Sequence, residues 1–92
     1  MSRGTAKLNI LAGMYLYLVE LGDPLDSPSI DGVVARSYAK TTVQELIRKV
    51  ENSDDPPEMV ISEFINMANR QSGYVFRVAY EIAVDLYDRV IL

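Results

Sequence analysis

GDPLDSPSIDG, residues 22–32, decides how the chain is read. Taken as a metal loop with Asp23, Asp26 and Asp31 as ligands, it makes a calcium-binding helix–loop–helix. Taken as punctuation, it separates two helices of a bundle. An EF-hand loop needs oxygen ligands at positions 1, 3, 5 and 12 with glycine at 6. Counted from Asp26, this chain puts Pro28 at position 3, Ile30 at 5, Asp31 at 6 and Ser37 at 12. A Walker loop fails as well, because the stretch has neither the glycine spacing nor a lysine before Ser or Thr. What remains is turn chemistry: Gly22 and Pro24 end one helix, Pro28 stiffens the turn, and Ser29 with Asp31 starts the next helix.

Helix signals extend from this turn in both directions. Upstream, Thr5 is placed to cap a first helix reaching Leu21, and only Lys7, Asn9, Gly13 and Glu20 interrupt its apolar circumference. Its uninterrupted run, residues 10–19, is shorter than the roughly 20 residues a bilayer span requires, and no small-residue cleavage site follows. The expectation is a buried helix in a cytoplasmic protein. Downstream, SIDGVVARSYAK (29–40) sets Ile30, Val33, Val34 and Tyr38 on one face of a short helix. TTVQELIRKVEN (41–52) starts afresh with a capping box, Thr42 to Glu45, and carries Val43, Leu46, Ile47 and Val50 at helical spacing. Asp55 then caps a helix whose first turn holds Pro56, Pro57 and Glu58 and whose apolar stripe is Val60, Ile61, Phe64, Met67 and Ala68. The last segment, GYVFRVAYEIAVDLYDRVIL (73–92), is apolar nearly all round. Arg77 and Glu81, and Asp85 and Arg89, are spaced four apart and able to pair. Ser72 and Gly73 mark a break before it, or a kink in one continuous helix.

The fold class expected is therefore all-α: a single domain, residues 1–92, forming a compact bundle of four to five helices. The first and last helices, being the most apolar, are expected to form the central pair, crossing closely at Ala12, Gly13, Ala79 and Ala83. A domain this small has little interior in which to hide two such helices, so a homodimer is expected.

Composition narrows the chemistry. The 92 residues are 49% hydrophobic and 24% charged, as in folded chains, and they include neither cysteine nor histidine. Disulfides and thiolate zinc sites are excluded, and the commonest general base is missing. The net charge of −4 opposes sequence-independent binding to DNA or anionic membranes. The charges are banded: Glu20, Asp23, Asp26 and Asp31 form an acidic block, and Glu51, Asp54, Asp55, Glu58 and Glu63 form another. Between them lie Arg36, Lys40, Arg48 and Lys49 against one Glu45.

Three groups of residues are candidates for function. The basic band Arg36, Lys40, Arg48 and Lys49 is suited to docking an acidic partner. It also allows an alternative, a DNA-binding helix-turn-helix over residues 29–52 whose second helix presents Gln44, Glu45, Arg48 and Lys49. Of the six tyrosines, Tyr15, Tyr17, Tyr38, Tyr74, Tyr80 and Tyr87, the last two stand on the final helix and serve as interface anchors. The carboxylates Glu20 and Asp23, and Glu81, Asp85 and Asp88, are spaced as magnesium ligands on helices are.

LVELGD (18–23), which contains Glu20 and Asp23, resembles the helical motif of small all-helical nucleotide pyrophosphatases of the MazG kind. That resemblance implies Mg²⁺-dependent phosphate chemistry. The family pairs an E-x-x-E with a later E-x-x-D, whereas this chain has no E-x-x-E, and Pro24 follows directly on Asp23. A solvated helix face accounts for the same acids. No catalytic residue, metal or cofactor is assigned. The reading is a non-enzymatic protein–protein interaction module, such as an adaptor, inhibitor or accessory subunit, with a protein partner and neither nucleic acid nor membrane as its ligand.

Overall fold

The computed structural model of the chain describes residues 3–92, with side-chain environments from residue 6 onward. Among them are four α-helices, one 3₁₀ turn and no strand. In order they are α1 (Arg3–Leu21), the 3₁₀ turn (Pro24–Asp26), α2 (Ile30–Asn52), α3 (Pro57–Arg70) and α4 (Tyr74–Val90).

The turn chemistry of residues 22–32 operates residue by residue. Gly22 takes the left-handed conformation (φ 74°) that ends a helix at low cost, and its N–H donates to the Val19 carbonyl at 3.1 Å. The Asp23 carboxylate accepts from the Leu25 N–H at 2.9 Å and caps the 3₁₀ turn. Ser29 Oγ accepts from the Gly32 N–H at 3.1 Å and caps α2. The Arg36 guanidinium donates to the Asp23 carbonyl at 3.0 Å, so the loop is fastened to the helix that follows it.

Helix boundaries differ from expectation at three places. α1 already includes Arg3, so Thr5 lies inside it, since nothing in RGT (3–5) forbids helical geometry. The two helices expected over residues 29–52 are one helix of 23 residues. Thr42 is consequently not a cap: its hydroxyl donates back to the Tyr38 carbonyl at 2.8 Å, as Ser37 and Thr41 do to Val33 and Ser37. Hydroxyls that would cap a helix start are equally satisfied four residues back inside one, and no Gly or Pro lies near residues 40–42 to force a break. In α3 the cap position falls on Pro56, not Asp55, and no side chain caps the helix. Proline there loses nothing, because its missing N–H has no partner in a first turn.

The junction before α4 is a true break. Gly73 has φ 116° and ψ 162°, a conformation open essentially only to glycine. With only residues 71–73 between them, α3 and α4 fold back as a hairpin.

α2 packs against each of the other three helices, whereas among the described residues there is no comparable α1–α3 packing. One side of α2 is buried from Ala39 onward, through Ala39, Thr42, Val43, Leu46, Ile47 and Val50. Met14 and Tyr17 from α1 complete one side of that core, with Ile61 and Phe64 from α3 and Ala83 and Leu86 from α4 on the others. α1 and α4 also pack on each other. A Cβ built on Gly13 would stand 2.9 Å from Val90 Cγ1, so the two helices approach there as closely as glycine permits. Ala79 and Ala83 are buried, but Ala12, expected at the crossing, is exposed because it is turned away from Met14 and Tyr17.

The long α2 makes the domain oblong, 44 × 28 × 22 Å, with a radius of gyration of 13.4 Å against about 12 Å for an ideally compact chain of this length. No helix among the described residues is long and apolar enough to cross a membrane.

Candidate functional site

The basic band of the sequence is dispersed by its helix. At 3.6 residues per turn, Arg36 and Lys40 share one flank of α2, Arg48 points away from the buried side, and Lys49 lies on the other flank. Arg36 and Arg48 are also about 18 Å apart along the axis at 1.5 Å per residue. Arg36 is occupied by the Asp23 carbonyl, and Lys49 stands 4.0 Å from Glu45 on the next turn. The unbroken course of α2 leaves no turn within residues 30–52, the bend a helix-turn-helix there would require.

The carboxylates are drawn into a polar seam between α1 and α4. Tyr17 donates its phenolic proton to Asp85 Oδ2 at 2.8 Å. Arg89 reaches Glu20 at 2.8 Å and Asp85 at 3.5 Å, and its guanidinium lies 5.0 Å from the Tyr17 ring centre. Burial pushes the Tyr17 phenol well above its usual range, and the Asp85 carboxylate reinforces the shift by hydrogen bonding and repulsion. Glu20 and Asp85 are thus paired with one cation. Glu81 and Asp88 remain exposed on the outer side of α4, and among the described residues no three acids gather in a group able to hold a metal. Arg77 and Glu81 form no ion pair there, whereas Asp85 and Arg89 do.

Tyr80 and Tyr87 are half-buried and packed against the core. Each lines a shallow depression on the α3–α4 hairpin, Tyr80 beside Ala68 and Tyr87 beside Met59 and Ser62. Part of each ring is therefore already used within the fold. Tyr38 and Tyr74 meet edge to face, centroids 6.0 Å apart, and link α2 to the start of α4. The largest depression on α3, about 520 Å³, mixes Lys49 with Asp55 and Glu63 over Val60 and Phe64, and converges on no reacting geometry.

The feature left over is the outer face of α1. Leu8 is 67% exposed, Tyr15 47%, Leu16 64% and Val19 75%, and Ala12 is exposed between them. The spacing 8, 12, 15, 19 keeps these residues on one stripe opposite buried Met14 and Tyr17, with Leu16 at its edge. No charged residue occurs from Leu8 to Val19, and at the stripe's edge the Tyr15 hydroxyl donates to the Glu51 carboxylate of α2 at 3.3 Å. This stripe was not among the site residues read from the sequence, although its signal, an uncharged helix with too much apolar surface for one neighbour, was visible there. No protein-family model matches the chain, and no curated protein or solved structure matches it at a significant level.

Proposed function

We propose that this chain is a non-enzymatic protein–protein interaction module, an adaptor, inhibitor or accessory subunit of the cytoplasm that acts as a homodimer. The observation that carries the reading is the apolar stripe on α1. The largest apolar patch on a protein surface, usually a few hundred Å², is often its interaction site. In the dimer α1 is covered on both sides, by α2 and α4 of its own protomer and by the second copy. Binding is favoured over catalysis because Glu20 and Asp85, the carboxylates that α1 and α4 bring to one seam, are both held by Arg89. The partner is a protein, approached through the exposed cations Arg48 and Lys49 and the exposed edges of Tyr80 and Tyr87.

Light scattering at micromolar concentration is expected to give about twice the 10.3 kDa chain mass. A monomer at every concentration up to the millimolar range refutes the homodimer. Millimolar Mg²⁺ is expected to leave the melting temperature unchanged. A rise that Glu81→Gln with Asp85→Asn abolishes would transfer the argument to phosphate chemistry.

A further inference from the structure

Resting on the homodimer reading, we infer that the second copy binds to α1 itself, with the two α1 helices antiparallel about a two-fold axis between Gly13 and Met14. In that register Leu8 of one copy faces Val19 of the other, and Ala12 faces Tyr15. Each layer then sets a large side chain against a smaller one. A parallel pairing would instead oppose Tyr15 to Tyr15 and Ala12 to Ala12, one layer too wide and the next too narrow. The 4-3-4 spacing of residues 8, 12, 15 and 19 is that of a two-stranded helical seam.

Area points to the same occupant. At the exposures found, Leu8, Tyr15, Leu16 and Val19 present on the order of 400 Å² of apolar surface per copy, or about 800 Å² for the pair. With Ala12 the total comes to roughly 900 Å², the size of a weak, exchanging interface; Leu11 and Leu18 are half-buried against the protomer's own core. Electrostatics favours the antiparallel sense, because it sets the two helix dipoles against each other where a parallel pair would align them. The exposed apolar residues outside α1, Leu25, Ile30, Val34, Met59, Tyr74, Val75 and Leu92, are scattered, and among the described residues no other helix carries more than two of them.

The chain has no cysteine, so introduced thiols report the register directly. Leu8→Cys and Val19→Cys proteins are mixed, allowed to exchange subunits and mildly oxidised. The antiparallel pair gives the mixed disulfide and little of either homodimeric one. In a parallel pair residues 8 and 19 of opposite copies lie about 16 Å apart along the axis, beyond the roughly 7 Å that a disulfide spans. Leu16→Glu, at a site exposed in the monomer, is expected to keep wild-type helicity and weaken dimerisation roughly tenfold or more. Homodimeric disulfides alone overturn the antiparallel register. A wild-type dimer with no disulfide in any combination, and a Leu16→Glu protein that stays dimeric, overturn the α1 interface while leaving self-association standing. A wild-type monomer overturns both.

Discussion

Gly13→Ala tests the closest approach in the fold, because two effects of similar size act in opposite directions. In the interior of a helix, replacing glycine with alanine stabilises by about 1 kcal/mol. The added methyl, however, would lie 2.9 Å from Val90 Cγ1 and 3.6 Å from Val90 Cβ. Carbon atoms pack at about 3.5–4.0 Å, so the valine methyl must retreat by roughly 0.6–1 Å. Valine in a helix has one strongly preferred χ1, so retreat means an off-rotamer side chain or a wider crossing of α1 and α4. Overpacking of this kind costs about 1–3 kcal/mol. The expected result is a net loss of up to about 2 kcal/mol, which for a domain of this size lowers the melting temperature by several degrees. In a Val90→Ala background the obstructing atom is gone and the same substitution is expected to stabilise by about 1 kcal/mol. The double-mutant cycle should therefore give a coupling of about 1–3 kcal/mol. Urea unfolding followed by helical circular dichroism measures it, at one protomer concentration because association adds to apparent stability. If Gly13→Ala alone stabilises by the full 1 kcal/mol with no coupling to Val90, the close crossing does not exist.

Three further substitutions probe other parts of the fold. Leu46→Ala removes a side chain with no exposure at the centre of α2 and is expected to cost about 2–5 kcal/mol in urea unfolding; a cost under about 1 kcal/mol would contradict its place in the core. Gly73→Ala adds a methyl that meets no atom within 4 Å, so its expected cost of about 1–3 kcal/mol is backbone strain alone, and a neutral result in thermal melting would refute the break before α4. For Tyr17→Phe the readout is the alkaline limb of the stability profile. The folded chain holds the Tyr17 proton more tightly than the unfolded chain, whose phenol titrates near 10. This contribution is fully present below that value. It declines as pH rises above it, because the unfolded chain deprotonates first. The phenylalanine variant should lose less stability between about pH 10 and 11 than the wild type; identical alkaline slopes would refute the burial of that hydroxyl.

Much of the helical plan was legible in the sequence because helix ends are local chemistry. Gly22, Pro24, Ser29 and Gly73 act through their own dihedral preferences and their immediate neighbours, so reading them needs no tertiary information. The same locality misled at Thr42 and Asp55. A threonine is satisfied equally well as a cap or by bonding four residues back, and only the packing of the whole buried side of α2, from Ala39 to Val50, selects the second. The apolar stripes of α2, α3 and α4 followed from periodicity, since 3.6 residues per turn sorts side chains into faces whatever the partner.

Periodicity said nothing of α1, where apolar residues lie all round. Only the tertiary structure, by placing α2 and α4 against Met14 and Tyr17, decided which of its faces would be left outside. The basic band looked like a patch because its residues are neighbours in a written chain, and a helix turns such neighbours away from one another. The contacts that join Tyr17, Asp85, Arg89 and Glu20 span 68 and 69 residues of sequence, so no local signal could have announced them. By itself the sequence determined that this protein is helical and that its apolar surface exceeds what so small an interior can hide. Where that excess emerges depended on which helices meet, a property of long-range packing that no single segment encodes.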